Sequence, residues 1–305
     1  MSESCALIPS DILQLISADA LWRAEVNPVA SALVSLWFDD IEIVTSPYHQ
    51  PGYAQAGVIM APWPNRLEDG RWQMGAREFA APINDVEGNN ANHGLVLGTT
   101  FDVIERTASN LRLETNLFDA AAYPFAVILK VNYRLQSTGL EITISTKNCG
   151  DVSAPIAFGL HPYFVAEQTS HLELNARTWV QKNERNLPTN AEPIEESAVA
   201  KAGLNLIEQL QVDDCFTDLI DEDGFTVTRL SRPAAGFTVE VRQSKELSYL
   251  MLYTLQEETN QKRLLIAIEP QTAPVNAFKN LDQVKLLAAG ELYVATCKIN
   301  LRKSQ

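Results

Sequence analysis

The chain has 305 residues, 46% of them apolar, and carries a formal net charge of −14. That supplies enough apolar side chain for a sizeable core, and its charge is the wrong sign for displacing counterions from nucleic-acid phosphates or for a polybasic membrane anchor. No stretch approaches the roughly 20 apolar residues of a membrane-spanning helix, and the N-terminus lacks the basic start and apolar run of a secretory signal, so no membrane association and a cytoplasmic location are the expectations.

Alternation of apolar and polar residues dominates the chain in order. Residues 21–26 and 32–38 read as the first strands. Residues 46–92 break the pattern: they are rich in Pro, Gly and Asn, with a hairpin signal at 70–74. Strands are then expected at 111–117, at 125–135 with Val127, Leu129, Val131 and Tyr133 on one face, and at 140–146 after the turn Ser137-Thr-Gly139. A single helical turn is expected at 119–123. Residues 183–212 are polar and irregular, with a short helix predicted within 198–210. Strands return at 237–241, 249–253, 263–268 and 292–299. Period-two alternation places one face on a core and the other in water, as in antiparallel sheets. With no linker and no repeat, residues 1–305 read as one all-β domain of two sheets packed face to face. The two irregular segments are where a rigid β scaffold would carry a site. Cys5, Cys149, Cys215 and Cys297 form no CxxC pair and read as reduced thiols.

Four segments hold residues able to do chemistry. Ala61-Pro-Trp-Pro-Asn-Arg66 is a proline-stiffened turn ending in a guanidinium fork. Asn89-Asn-Ala-Asn-His-Gly94 places His93 in a small polar loop, where an inert surface histidine is the commoner outcome. Phe158-Gly-Leu-His-Pro-Tyr-Phe164 embeds His161 among apolar residues, where it is either a satisfied core imidazole or one with a tuned pKa. Leu264-Leu-Ile-Ala-Ile-Glu-Pro270 ends an apolar run on Glu269. A carboxylate there is costly to desolvate unless paired, for instance with Arg66, or functional. Two histidines and carboxylates also suit a metal ion, yet neither histidine has a second ligand within four positions, and no metal is expected. GxSxG, GxGxxG and GxxxxGK[ST] are absent, which leaves no signal for a nucleophile elbow, a dinucleotide site or a P-loop.

Pro64-Asn-Arg66 with Gly70-Arg71, His93-Gly94, Gly159-Leu-His-Pro-Tyr-Phe164, Asp213-Asp-Cys-Phe216 and Ile268-Glu-Pro-Gln-Thr272 follow one another in an order that resembles the aldose 1-epimerase (galactose mutarotase) family. The opening strands and the ending after Gly290-Glu291 resemble it too, so the likeness spans nearly the whole chain. It departs where Leu95 follows His93-Gly94 and where Pro28-Val-Ala-Ser31 lacks glycines. The resemblance implies a large antiparallel β-supersandwich and a cofactor-free interconversion of the α and β anomers of a hexose. By motif match, Glu269 is the general base, His161 the general acid, and His93 assists at the ring oxygen. Arg66 and Asp213 hold sugar hydroxyls, and Trp63, Tyr163 and Phe278 are candidates to stack on the sugar. On this reading His161 is protonated and Glu269 ionised when substrate binds. The expected partner is a small sugar, and the expected state a monomer or weak homodimer. Two alternatives stay open: a hexose 6-phosphate mutarotase, with Arg71 and Arg77 as phosphate ligands, and a non-catalytic sugar-binding protein of the same fold.

Overall fold

Alternating burial explains why the strands form where they do. In Tyr123–Gln136, Val127, Leu129, Val131 and Tyr133 are buried while their neighbours point outward, and the strand pairs with Gly139–Asn148 across the two residues Ser137 and Thr138. The computed structural model describes residues 12–46, 55–201, 211–256 and 264–303. Cys5, residues 47–54 of the first irregular segment, 202–210 of the predicted helix and Arg263 lie outside them.

Two large antiparallel sheets build the molecule. The first, of 12 strands among the described residues, runs Leu13–Ile16, Trp22–Asn27, Ala32–Phe38, Ile41–Thr45, Tyr163–Ala166, Leu264–Gln271, Tyr249–Gln256, Asp213–Leu219, Ala176–Lys182 and Pro188–Pro193, with Gly159–Leu160 and Ile59–Met60 joined beside Leu264–Gln271. The second, of 9 strands among the described residues, runs Asp102–Arg106, Asn110–Asp119, Tyr123–Gln136, Gly139–Asn148, Leu292–Lys303, Phe237–Ser244, Phe225–Arg232 and His171–Glu173, with Asp221–Glu222 beside Phe225–Arg232. One buried cluster draws on both, from Leu15, Trp22 and Ala24 to Leu113, Leu129 and Val131. The Tyr133 hydroxyl crosses between them to donate to the Ser31 carbonyl at 2.5 Å. The all-β sandwich expectation holds.

Strands that the alternation does not reveal are mostly short or at edges. Asp102–Arg106 is exposed along its length, and Pro188–Pro193 nearly so, so neither carries an inside-outside pattern. The helical turn expected at 119–123 is instead a hairpin turn. The Asp119 carboxylate accepts from the Ala121 and Ala122 amides at 2.8 and 2.7 Å, a side-chain cap that competes with helical hydrogen bonding. Of the predicted helix, Ala198–Lys201 is helical. The hairpin signal at 70–74 corresponds to Arg71–Met74 paired with Arg77–Ala80.

Candidate active site

The strand Leu264–Gln271 is buried at every residue and lies between Tyr163–Ala166 and Tyr249–Gln256. Interior parallel runs are not required for such a pattern; a central strand covered on both faces is apolar throughout, and here Glu269 interrupts it with a side chain that is 2% exposed. His161 sits in the short connection between Gly159–Leu160 and Tyr163–Ala166. Its amide donates to the Val58 carbonyl at 3.1 Å, and its own carbonyl accepts from Gly57 at 2.8 Å. These bonds pin the histidine backbone beside the central strand.

His93 and Arg66 arrive from a small separate ladder. Arg66–Glu68 pairs with Asn90–Asn92, placing Arg66 opposite Asn92. Asn65 takes the left-handed conformation (φ 56°), which asparagine tolerates better than most residues. Its side-chain oxygen accepts from the Arg66 amide at 2.9 Å and from Arg66 Nη1 at 3.1 Å, and its carbonyl accepts from the His93 amide at 2.8 Å. His93 also has positive φ (63°), a backbone state held only when its surroundings demand it. Gly94 follows with φ +76°, and a Cβ there would stand 1.9 Å from the Ala61 carbonyl oxygen. Only glycine allows the His93 loop to close against the Ala61-Pro62 segment.

These elements converge on a cavity of about 190 Å³ lined by Gln55, Asn65, Arg66, Asn92, His93, His161, Tyr163, Asp213, Met251, Tyr253 and Glu269. His161 Nε2 is 3.6 Å from Glu269 Oε1. The two imidazole rings meet edge to face at 5.1 Å, and His161 stacks on Tyr163 at 5.2 Å. Arg66 Nη2 donates to Asp213 Oδ2 at 3.0 Å, so Arg66 pairs with Asp213 and not with Glu269. Asp214 turns away and is buried against Lys182, with Nζ 3.4 Å from Oδ1. Lys182 also donates to the Asp213 carbonyl. Two larger clefts, about 450 and 310 Å³, lie around Tyr249 and Phe225 and contain none of the candidate residues.

Of the expected substrate-binding residues, Trp63 is corrected. It is 1% exposed, its indole N–H donates to the Ala91 carbonyl at 3.1 Å, and its ring packs on buried Phe278 at 5.4 Å. Both rings belong to the core and neither lines the cavity, because Pro62 and Pro64 turn the segment so that Asn65 and Arg66 face the site instead. Arg71 and Arg77 sit on the exposed 71–80 hairpin, away from the cavity wall. Sequence reasoning missed Gln55, Asn65, Asn92, Met251 and Tyr253 as lining residues. Asn92 adjoins His93, but polarity in a loop did not separate it from its neighbours.

Burial decides the electrostatics. It pushes His161 down to about 4, with the Arg66 charge adding to the effect. His93 is held well below the ordinary imidazole range by burial first, then by His161 and Arg66. Glu269 is pushed well above the usual carboxylate range by burial, then by the Asp213 charge, against the opposing pull of Arg66 and Gln271. Burial therefore opposes charge on both groups and favours a neutral pair over the ionic one expected for the substrate-bound state. Either arrangement holds a single proton between the two side chains. His93 Nδ1, His161 Nδ1 and Asn92 Oδ1 are buried without a hydrogen-bond partner, a costly condition for polar atoms.

The aldose 1-epimerase family model matches residues 13–300. The chain belongs to the aldose 1-epimerase family. Among curated proteins it is 27% identical over 277 residues to the uncharacterized protein YihR of Escherichia coli K12, covering 88% of this chain and 87% of that one. Among solved structures it superposes on a galactose mutarotase-like protein from Clostridium acetobutylicum with a TM-score of 0.80, at 20% identity, covering 96% of this chain and 98% of that one. A galactose 1-epimerase from Lactobacillus acidophilus NCFM matches with a TM-score of 0.74 at 18% identity, covering 96% and 95%. The fold is thus the galactose mutarotase-like β-supersandwich expected from the family's ordered motifs. All five motif segments of the family quoted from the sequence contribute a residue to the cavity or to the strand behind it.

Proposed function

We propose that the protein interconverts the α and β anomers of an aldose, a free hexose in the first instance, by general acid–base opening and closing of the ring. Glu269 removes the proton from the anomeric hydroxyl while His161 protonates the ring oxygen. The bond from the anomeric carbon to the ring oxygen breaks, and a carbonyl forms at that carbon. Rotation about the adjacent carbon–carbon bond exposes the other face, and the same two groups run in reverse to close the ring. Each well-placed acid or base contributes about 10²–10⁴-fold. His93 hydrogen-bonds at the ring oxygen, Arg66 and Asp213 hold ring hydroxyls, and Tyr163 with Tyr253 forms the apolar wall.

The observation that carries this reading is the shared cavity: Glu269, His161 and His93, from distant parts of the chain, line it together in a member of the aldose 1-epimerase family. Burial favours the neutral Glu269–His161 pair, but a sugar hydroxyl donating to the carboxylate and a ring oxygen accepting from the imidazolium favour the ionic one. Substrate binding thereby sets the working protonation. A free sugar is favoured over a hexose 6-phosphate because Arg66, which lines the cavity, is already bonded to Asp213.

The test is polarimetry and NMR exchange on the purified protein with fresh α-glucose, α-galactose and glucose 6-phosphate, chelator present. Acceleration of a free hexose is expected. Acceleration of the phosphate alone overturns the substrate class, and acceleration of none overturns the enzymatic reading in favour of sugar binding.

A further inference from the structure

The Glu269 carboxylate has two oxygens with different neighbours. Oε1 faces His161 Nε2 at 3.6 Å, and Oε2 accepts from Gln271 Nε2 at 3.3 Å. Among the described residues no Lys or Arg is paired with it. Residues two apart on a strand project to the same face, so Gln271 stands directly beside Glu269 on Leu264–Gln271. Gln271 is fully buried and does not line the cavity. Its own Oε1 is buried without a partner. A fully buried carboxamide whose oxygen has no hydrogen-bond partner is expensive, and an apolar side chain of that size would fill the space at lower cost. Room for it is made by Gly159, which pairs with Gln271 across the sheet: a Cβ at 159 would stand 3.0 Å from Gln271 Cγ and 2.9 Å from Met60 Cε.

We propose that Gln271 is a positioning residue for Glu269, its carboxamide N–H holding Oε2 so that Oε1 is presented to His161 and the cavity. The proposal rests on the acid–base reading of Glu269 given above. The hydrogen bond fixes the carboxylate rotamer, and it stabilises the ionised base against the burial that opposes ionisation.

The variants that separate this role from space filling are Gln271→Met, which keeps the length and removes the donor, and Gln271→Glu, which sets a second carboxyl against the first. Each is measured for kcat, KM and the pH profile of kcat/KM, beside the wild type and Glu269→Gln. For Gln271→Met, kcat is expected to fall about 10-fold with KM within roughly 2-fold, and the acid limb of kcat/KM to move up by about one pH unit, the size of one lost charge-assisted hydrogen bond. For Gln271→Glu the limb is expected to move further in the same direction, since like charges disfavour ionisation. An acid limb unmoved in the folded variants overturns the positioning role, and Gln271→Glu decides alone if Gln271→Met does not fold. A wild type without anomerase activity removes the acid–base reading and this inference with it. An active wild type, an inactive Glu269→Gln and an unmoved limb remove the inference alone.

Discussion

Buried His161 Nε2 stands 3.6 Å from buried Glu269 Oε1 at the wall of the cavity, just beyond hydrogen-bond length. The gap leaves neither group locked to the other. If they are the acid and base, replacing either removes one proton transfer. Glu269→Gln and His161→Asn are each expected to reduce anomerisation by about 10²–10⁴-fold, with sugar binding retained, as read by NMR exchange and by isothermal titration. Full activity in either variant would sink the assignment.

The same burial predicts how stability depends on pH. Glu269 is raised in the folded state, so its contribution is complete below the ordinary carboxylate value and is lost as pH rises, because the unfolded chain releases a proton that the folded one keeps. His161 is lowered to about 4. Its contribution is present above the ordinary imidazole value and is lost as pH falls toward 4. Denaturant titrations across pH should show Glu269→Gln losing the alkaline decline and His161→Asn losing part of the acid decline. Unchanged slopes in both would show that neither group is desolvated as the cavity geometry requires.

Arg66 holds Asp213 at 3.0 Å and takes support from Asn65. Arg66→Ala leaves a carboxylate at the cavity wall with Lys182 as its remaining cation. A hydrogen bond to a charged group is worth about 1.5–3 kcal/mol, so KM for the sugar should rise roughly 10- to 100-fold, with a smaller change in kcat. Equal losses in kcat and kcat/KM, with KM constant, would instead place Arg66 in the chemical step.

Trp63 distinguishes core from site. Trp63→Ala should cost about 3–5 kcal/mol of stability while the folded fraction keeps its KM. A raised KM in a variant of unchanged stability would restore the sugar-stacking role that its burial removes.

Gly94→Ala tests the His93 loop. Positive φ alone costs a non-glycine residue roughly 1–2 kcal/mol, and the new Cβ meets the Ala61 carbonyl. Lower thermal stability and lower activity should appear together, and an unaffected variant would mean that this loop is not held by the Ala61–Gly94 contact.

The sequence by itself determined the all-β class and most long strands, because alternation is a local property: Val127, Leu129, Val131 and Tyr133 share a face through backbone geometry alone. It also singled out Glu269, since a carboxylate closing a run of apolar residues is conspicuous without coordinates, and the ordered motifs led from there to His161 and His93. The tertiary structure decided what depends on residues far apart in the chain. Trp63 and Arg66 share one short segment, yet one enters the core and the other reaches Asp213. Asp213 and Asp214 are neighbours in sequence, and strand alternation sends one to the cavity and the other to Lys182. The protonation of Glu269 and His161 follows the dielectric around them, which is made by side chains contributed from several strands. Strand period and residue order are encoded locally; pairing, burial and the desolvation of Glu269 and His161 exist only once the sheets have closed on one another.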